Sequence, residues 1–234
     1  MKVAIMQPYF FPYIGYFQLI NAVDEFVVYD NIKYTKKGWI NRNRILHNGK
    51  DEYVTLSLKN DSDYLNVVNR ELSSEWDKDR VKILNKIKSS YHKAPHFNEV
   101  YPLVENCLAY DDPNLFRFIL NSLTETMKYF SIDTHIVISS TIDIDHSLKS
   151  DDKVIAICKA LKADTYLNPI GGMELYHNEK FTAAGVKLQF IKTSSFEYQQ
   201  FGNSFIPFLS IIDLMMFNEK NQLHSLLNNE YQIL

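Results

Sequence analysis

The sequence lacks most of what would announce a known chemistry. Its 234 residues hold only two cysteines, Cys107 and Cys158. They are far apart and form no Cys-x-x-Cys pair, which excludes a disulfide framework or zinc ribbon and predicts buried thiols in a reducing compartment. Glycine and proline number only seven each, so the chain is neither low-complexity nor disordered. Neither sign of charge dominates: the net charge is −3, which argues against broad, non-specific binding of nucleic acid. No apolar run is long enough to span a bilayer. Lys2 is the only early basic residue, and Gln7, Pro8 and Pro12 interrupt the segment after it, so no secretory signal is read there. A soluble, cytoplasmic protein is expected. There is no Walker loop, no Gly-x-Gly-x-x-Gly, no His-Glu-x-x-His and no Ser-His-Asp order.

What is abundant is aromatic surface, with 15 Tyr and 15 Phe, and an α/β rhythm. The apolar run Val3 to Met6 stops at Gln7-Pro8, Pro12 follows, and Gly15 opens a helix-like segment over about 13–22. This predicts a strand, a proline-bracketed loop and a helix start, with Gln7 and Phe11 extended because each precedes a proline. Glu25 to Asp30 reads as a second strand, giving a β-α-β unit and a parallel pair. Runs at 44–47 and 53–58, joined through Asn48-Gly49, predict a hairpin. The middle third reads as helical. Ser74 with Asp77 resembles a capping box, Trp76, Ile83, Leu84, Ile87 and Tyr91 share one face, and Asp112-Pro113 is read as a cap before the stripe Leu115 to Met127. Strands are then expected at Ile136–Ile138, Thr165–Leu167 and Lys187–Ile191, a helix capped by Ser150 runs to Leu161, and Phe208 to Phe217 is an apolar helix, a packing or dimer element. The whole is one α/β unit: a parallel-sheet core over about 1–60 and 132–234, with a helical insert over about 70–131.

Ligands of open α/β sheets bind in the loops after the carboxyl ends of strands, so the Gln7–Gly15 loop, with Tyr9 and Tyr13, is the first candidate site. Lys33, Lys36, Lys37, Arg42 and Arg44 interleave with Trp39 and Asn41. Such a loop either neutralises a diphosphate while Trp39 stacks on a base or sugar, or is a solvated loop with one packed tryptophan. His92 and His96 lie four apart, but Pro95 breaks the helix between them, so no metal pair is expected. Either histidine suits a catalytic base or a substrate contact; the alternative is a helix-end histidine near backbone carbonyls. Asn168-Pro-Ile-Gly171-Gly172 follows a strand, where exposed amides suit a phosphate or carboxylate, although a tight turn needs glycine for backbone reasons alone. Ser139, with Ser140 and Thr141, also follows a strand and either faces the same crevice or caps backbone groups.

The stretches Met6-Gln-Pro-Tyr-Phe-Phe-Pro-Tyr-Ile-Gly-Tyr-Phe-Gln-Leu-Ile20 and Tyr34-Thr-Lys-Lys-Gly-Trp-Ile-Asn-Arg-Asn-Arg-Ile45 strongly resemble the WbqC-like family. Tyr91-His-Lys-Ala-Pro-His-Phe97, Ala163-Asp-Thr-Tyr-Leu167 and Phe205-Ile-Pro-Phe-Leu-Ser-Ile-Ile-Asp-Leu214 extend the resemblance over almost the whole chain. It implies a bacterial protein of surface-polysaccharide, especially O-antigen, gene clusters, whose members are described as transferases, including aminoacyl or glycine transfer to amino sugars. The strand, proline loop and Gly15 are also similar to the nucleotidyltransferase-type (HUP-like) nucleotide-binding fold with its His-x-Gly-His loop, except that Tyr13 and Tyr16 stand at the histidine positions. Three functions are carried forward. The first is amide formation on a nucleotide-linked amino sugar, with the donor a thioester, an acyl carrier or an ATP-derived adenylate. The second is a nucleotidyltransferase or adenylate-forming ligase, and the third a non-catalytic nucleotide-sugar-binding scaffold. In the first, His92 takes the amine proton and the basic loop holds the diphosphate.

Overall fold

The computed structural model describes residues 1–62, 64–202 and 204–234. In chain order the strands are Lys2–Met6 (β1), Glu25–Val28 (β2), Arg42–His47 (β3), Lys50–Thr55 (β4), His135–Ile138 (β5), Thr165–Pro169 (β6), Lys187–Thr193 (β7) and Tyr231–Ile233 (β8). The helices are Ile14–Asn21 (α1), Trp76–Tyr91 (α2), Phe97–Leu108 (α3), Leu115–Tyr129 (α4), Ser150–Ala160 (α5), Asn178–Ala183 (α6), Ile211–Phe217 (α7) and Lys220–Asn229 (α8).

Among the described residues, six strands form one sheet in the order β5-β2-β1-β6-β7-β8. All neighbours are parallel except β8, which runs antiparallel to β7. Strand order therefore reverses between β1 and β6, as in doubly wound nucleotide-binding folds. Alternation along the strands feeds two cores. Ala4, Phe26, Val28 and Leu167 face the layer of α1, α3, α4, α7 and α8, while Val3, Ile5, Val27 and Tyr166 face α5 and α6. Helix α1 is buried along nearly its whole length, so it acts as a wedge between sheet and outer helices and fixes where the preceding loop lies.

The predicted parallel core, the helical middle and the hairpin are present. The hairpin pairs Arg42–His47 with Lys50–Thr55, and positive φ at both Asn48 and Gly49 is the geometry that lets a two-residue turn match strand twist. Cys107 and Cys158 are buried and free, and burial pushes each thiol pKa up to about 12.

Several local expectations are corrected. Helix α2 starts at Trp76 without a side-chain cap, so Ser74 and Asp77 form no capping box. Asn114, not Asp112, caps α4 by accepting from the Arg117 amide. Ser150 lies inside α5 instead of capping it. Helices α3 and α8 and the strand β8 were not anticipated.

The most informative correction is Phe11, whose φ is 40° rather than extended. The pre-proline preference is overridden by tertiary hydrogen bonds. Asn43 Nδ2 donates to the carbonyls of Phe10 (3.1 Å) and Phe11 (2.7 Å), and Ser210 Oγ donates to Phe11 O at 2.8 Å. The amide of Ile211 binds Pro12 O, and that of Phe10 binds Ile40 O. A left-handed non-glycine residue costs of the order of 1 kcal/mol or more, and these bonds hold it there. Asn43→Ala leaves two buried carbonyls without that donor and is expected to lower stability by about 1–3 kcal/mol in urea denaturation. A loss within about 0.5 kcal/mol, the range of ordinary surface substitutions, would show that the loop is held by other contacts.

Candidate functional site

The loop after β1 runs from Gln7 to Tyr13 and delivers the chain to α1. Tyr16 Oη donates to the Gln7 carbonyl at 2.8 Å. Tyr16 is fully enclosed, and burial drives its pKa well up; it braces the loop and does not face a ligand. The Gln7 side chain makes no hydrogen bond among the described residues. Tyr9 packs its ring 5.7 Å from that of Tyr16. Tyr13 caps α1 in extended geometry and folds its ring over Gly15: a Cβ on Gly15 would lie 2.4 Å from the Tyr13 hydroxyl. Gly15 thus makes room for tyrosine, and the amino end of α1 is covered by that ring.

Beside Tyr13 lies a cavity of about 620 Å³. Its other walls are the segment Thr193 to Tyr198 that leaves β7, the stretch Phe205 to Leu209 and Leu214 of α7. The cavity therefore sits at the carboxyl end of the sheet, one strand beyond the reversal point and against the proline loop.

Behind Tyr198 is a buried carboxylate. Asp213 has no solvent exposure and accepts hydrogen bonds from Tyr91 Oη (2.7 Å), Tyr198 Oη (2.5 Å) and Gln200 Nε2 (2.9 Å). Two of these donors, Tyr91 and Gln200, are oriented by a second contact. The Leu46 amide donates to Tyr91 Oη, so the phenolic proton points at Asp213. Gln200 is fixed by Ile206, whose amide reaches Oε1 and whose carbonyl accepts from Nε2. Burial raises the Asp213 pKa above the usual carboxylate range, against the hydrogen bonds of Tyr198, Tyr91 and Gln200. The network joins β3, α2, α7 and the cavity wall. Tyr91 had been read only as part of an apolar stripe, and Asp213 was not singled out. Its signal in the sequence was a lone carboxylate inside the apolar run Ile211 to Met216.

The other predicted site residues fall into three places. The first is the hairpin. Arg44 Nη1 pairs with Asp51 at 2.8 Å, its Nη2 donates to the Phe208 carbonyl at 3.3 Å, and its guanidinium lies 5.7 Å from the Trp39 ring. Trp39 stacks on Tyr53 and is 40% exposed. Arg42 lies over Tyr53 and donates to the Gly38 and Lys37 carbonyls, closing its own loop. Lys36 and Lys37 are exposed. Asn41 is turned inward, accepting from Tyr34 and donating to Leu56 O. Phe208 lines the cavity and its ring meets Tyr13 edge-on at 6.3 Å, so Arg44 touches the backbone of a lining residue, although neither Arg44 nor Trp39 lines the cavity itself.

The second place is the opposite side of the sheet end. Asn168 accepts from Tyr166 Oη and donates to Pro169 O, and a Cβ on Gly172 would lie 2.2 Å from Asn168 Nδ2. Gly172 is thus a packing glycine, and Ile170–Leu175 is a 3-10 turn, not a helix start for an anion. Nothing lies within 4 Å of the Cβ that Gly171 lacks. Ser139 is buried and donates to Asn31 Oδ1 at 3.1 Å, tying the ends of β5 and β2 together. None of these residues lines the cavity.

The third place is the break between α2 and α3. His92 is exposed at the end of α2 and His96 precedes α3. Neither lines the cavity, and neither side chain makes a hydrogen bond among the described residues. Lys93 and Pro95 between them border a separate recess of about 530 Å³ with Gln200 and Phe217. No group of three or more metal-ligating side chains occurs among the described residues, and none of their helices is long and apolar enough to cross a membrane.

Fold and site define a doubly wound α/β protein with a cavity at the carboxyl end of its sheet. The WbqC-like protein family matches residues 7–225, and the chain belongs to it. It is similar to a protein of Mycobacterium tuberculosis (strain ATCC 25618 / H37Rv) called "Uncharacterized protein Rv1507c", with 26% identity over 218 residues, 92% of each chain. No solved structure matches the chain.

Since burial raises the Asp213 pKa, the folded protein holds that proton more tightly than the unfolded chain. Its contribution to stability is complete below the unfolded value, near pH 4, and is lost as pH rises through the folded pKa. D213N abolishes this titration. In urea denaturation series from about pH 4 to 8, wild type is expected to lose stability relative to D213N as pH rises. A difference that does not change with pH would show that Asp213 does not titrate in this window.

Proposed function

We propose that the protein is a transferase that forms an amide on a nucleotide-linked amino sugar, by acyl or aminoacyl (including glycyl) transfer, in O-antigen or related polysaccharide biosynthesis. The observation that carries this reading is the cavity of about 620 Å³, within the range of small-molecule sites, walled by hydroxyl and aromatic side chains, with Arg44 on the carbonyl of its lining residue Phe208 and Trp39 beside Arg44. Family membership is consistent with it. In the transfer, the amine nitrogen attacks the carbonyl carbon of a thioester, carrier-bound acyl group or adenylate. A C–N bond forms, the bond to the leaving group breaks, and the proton released from the nitrogen passes to the departing group or to solvent water. His92, exposed and outside the cavity, is not given the role of base here.

A nucleotidyltransferase or adenylate-forming ligase draws support from the strand order, but the Tyr13 ring covers the amino end of α1, where that chemistry needs its phosphates.

The test is to incubate purified protein with dTDP- and UDP-linked amino sugars together with acyl thioesters, an acylated carrier, or ATP and a free amino acid. The expected result is a sugar product heavier by the acyl group. Magnesium-dependent pyrophosphate release without acylated sugar would favour the ligase, and no mass gain with any pair would overturn the proposal.

A further inference from the structure

We infer that the cavity beside Tyr13 is a subsite for an organic ammonium carried on a small polyhydroxylated frame, with Glu197 as the carboxylate that receives it, and that it excludes phosphate. The chemical identity of the frame rests on the transfer reading above; the preference for a cation rests on the polarity of the walls.

Among the described residues that line the cavity, Glu197 is the one acidic side chain, and no lysine, arginine or histidine is among them. Glu197 takes part in no hydrogen bond or ion pair among the described residues. Two of the hydroxyls have their protons committed elsewhere. Gln18 Nε2 donates to the carbonyls of Leu226 and Glu230, which fixes Gln18 Oε1 as an acceptor, and Thr193 Oγ1 donates to it at 2.8 Å. Tyr198 donates its proton to Asp213. Thr193 and Tyr198 therefore have no proton to offer the cavity, and the Tyr13 hydroxyl is engaged with Thr193. The hydroxyls of Ser194 and Ser195 are free to turn either way. A wall with few free donors beside one carboxylate favours a ligand that brings its own donors and positive charge, and repels a phosphate, which brings acceptors and negative charge. The rings of Phe196, Phe205 and Phe208 supply apolar faces for the ligand frame.

Glucosamine, N-acetylglucosamine and glucose 6-phosphate serve as probes, with binding followed by protein NMR shifts at Glu197, Tyr198 and Phe208. Wild type is expected to bind glucosamine at this cavity, N-acetylglucosamine about tenfold or more weakly, and glucose 6-phosphate not at all. E197Q, an exposed and nearly isosteric change, should bind glucosamine about tenfold less tightly while keeping the N-acetyl form unchanged. Equal binding of the amine and its acetamide, an amine preference that survives in E197Q, no glucosamine shifts at the cavity, or binding of the phosphate there would each overturn the inference. Amine-selective, Glu197-dependent binding by a protein that acylates no nucleotide-linked sugar would sink the transfer reading and leave the subsite standing. Acylation that is indifferent to E197Q would do the reverse.

Discussion

The structure depends on the clamp around the Phe10 and Phe11 carbonyls. A loop with two prolines offers few amides of its own, so its carbonyls must find donors elsewhere. They find them in Asn43 on the hairpin and Ser210 at the start of α7. Three segments far apart in sequence are thereby held at one point. Holding Phe11 at positive φ turns the chain so that Tyr13 reaches the amino end of α1, and it brings the hairpin and α7 close enough for Arg44 to reach the Phe208 carbonyl. The cavity is bounded by the consequences of that clamp: Tyr13 on one side, Phe205 to Leu209 on another, and α7 beneath.

The clamp also explains where the sequence was legible. The strands β1, β2, β5, β6 and β7 could be read because buried parallel strands are short apolar runs, and their order follows from connections that cross one face at a time. The hairpin could be read because Asn48-Gly49 is a local signal. Phe11 could not, because the pre-proline preference is local and the force that defeats it comes from residues 32 and 199 positions away. Nor could Gly172, whose apparent phosphate cradle is filled by the side chain of Asn168. Glycine marks a close approach without saying what approaches.

The same limit applies to the candidate site. Reading chemistry from residue type favoured His92, Arg42 and Asn41, and the structure gives the first an exposed helix end and turns the other two onto their own backbone surroundings. The residues that shape the cavity are a threonine, tyrosines and a glutamate, common types whose meaning lies in their partners. Tyr91, from one stretch that resembles the family, and Asp213, from another, meet only through tertiary contact. A carboxylate flanked by Ile211, Ile212, Leu214 and Met215 was nonetheless readable as anomalous, since a buried charge is tolerated only when donors converge on it.

Those donors carry a consequence beyond holding Asp213 in place. Each proton that Tyr198 or Thr193 gives inward is one the cavity cannot offer to a ligand. Asp213 and Gln18, which take those two protons, therefore help to set the polarity of the cavity wall. No cation is among the described residues that line the cavity. Arg44, outside the lining, holds the carbonyl of Phe208, whose side chain is 67% exposed with its ring against Tyr13. The clamp that fixes the proline loop thus also fixes the part of the cavity wall made by Tyr13 and Phe208.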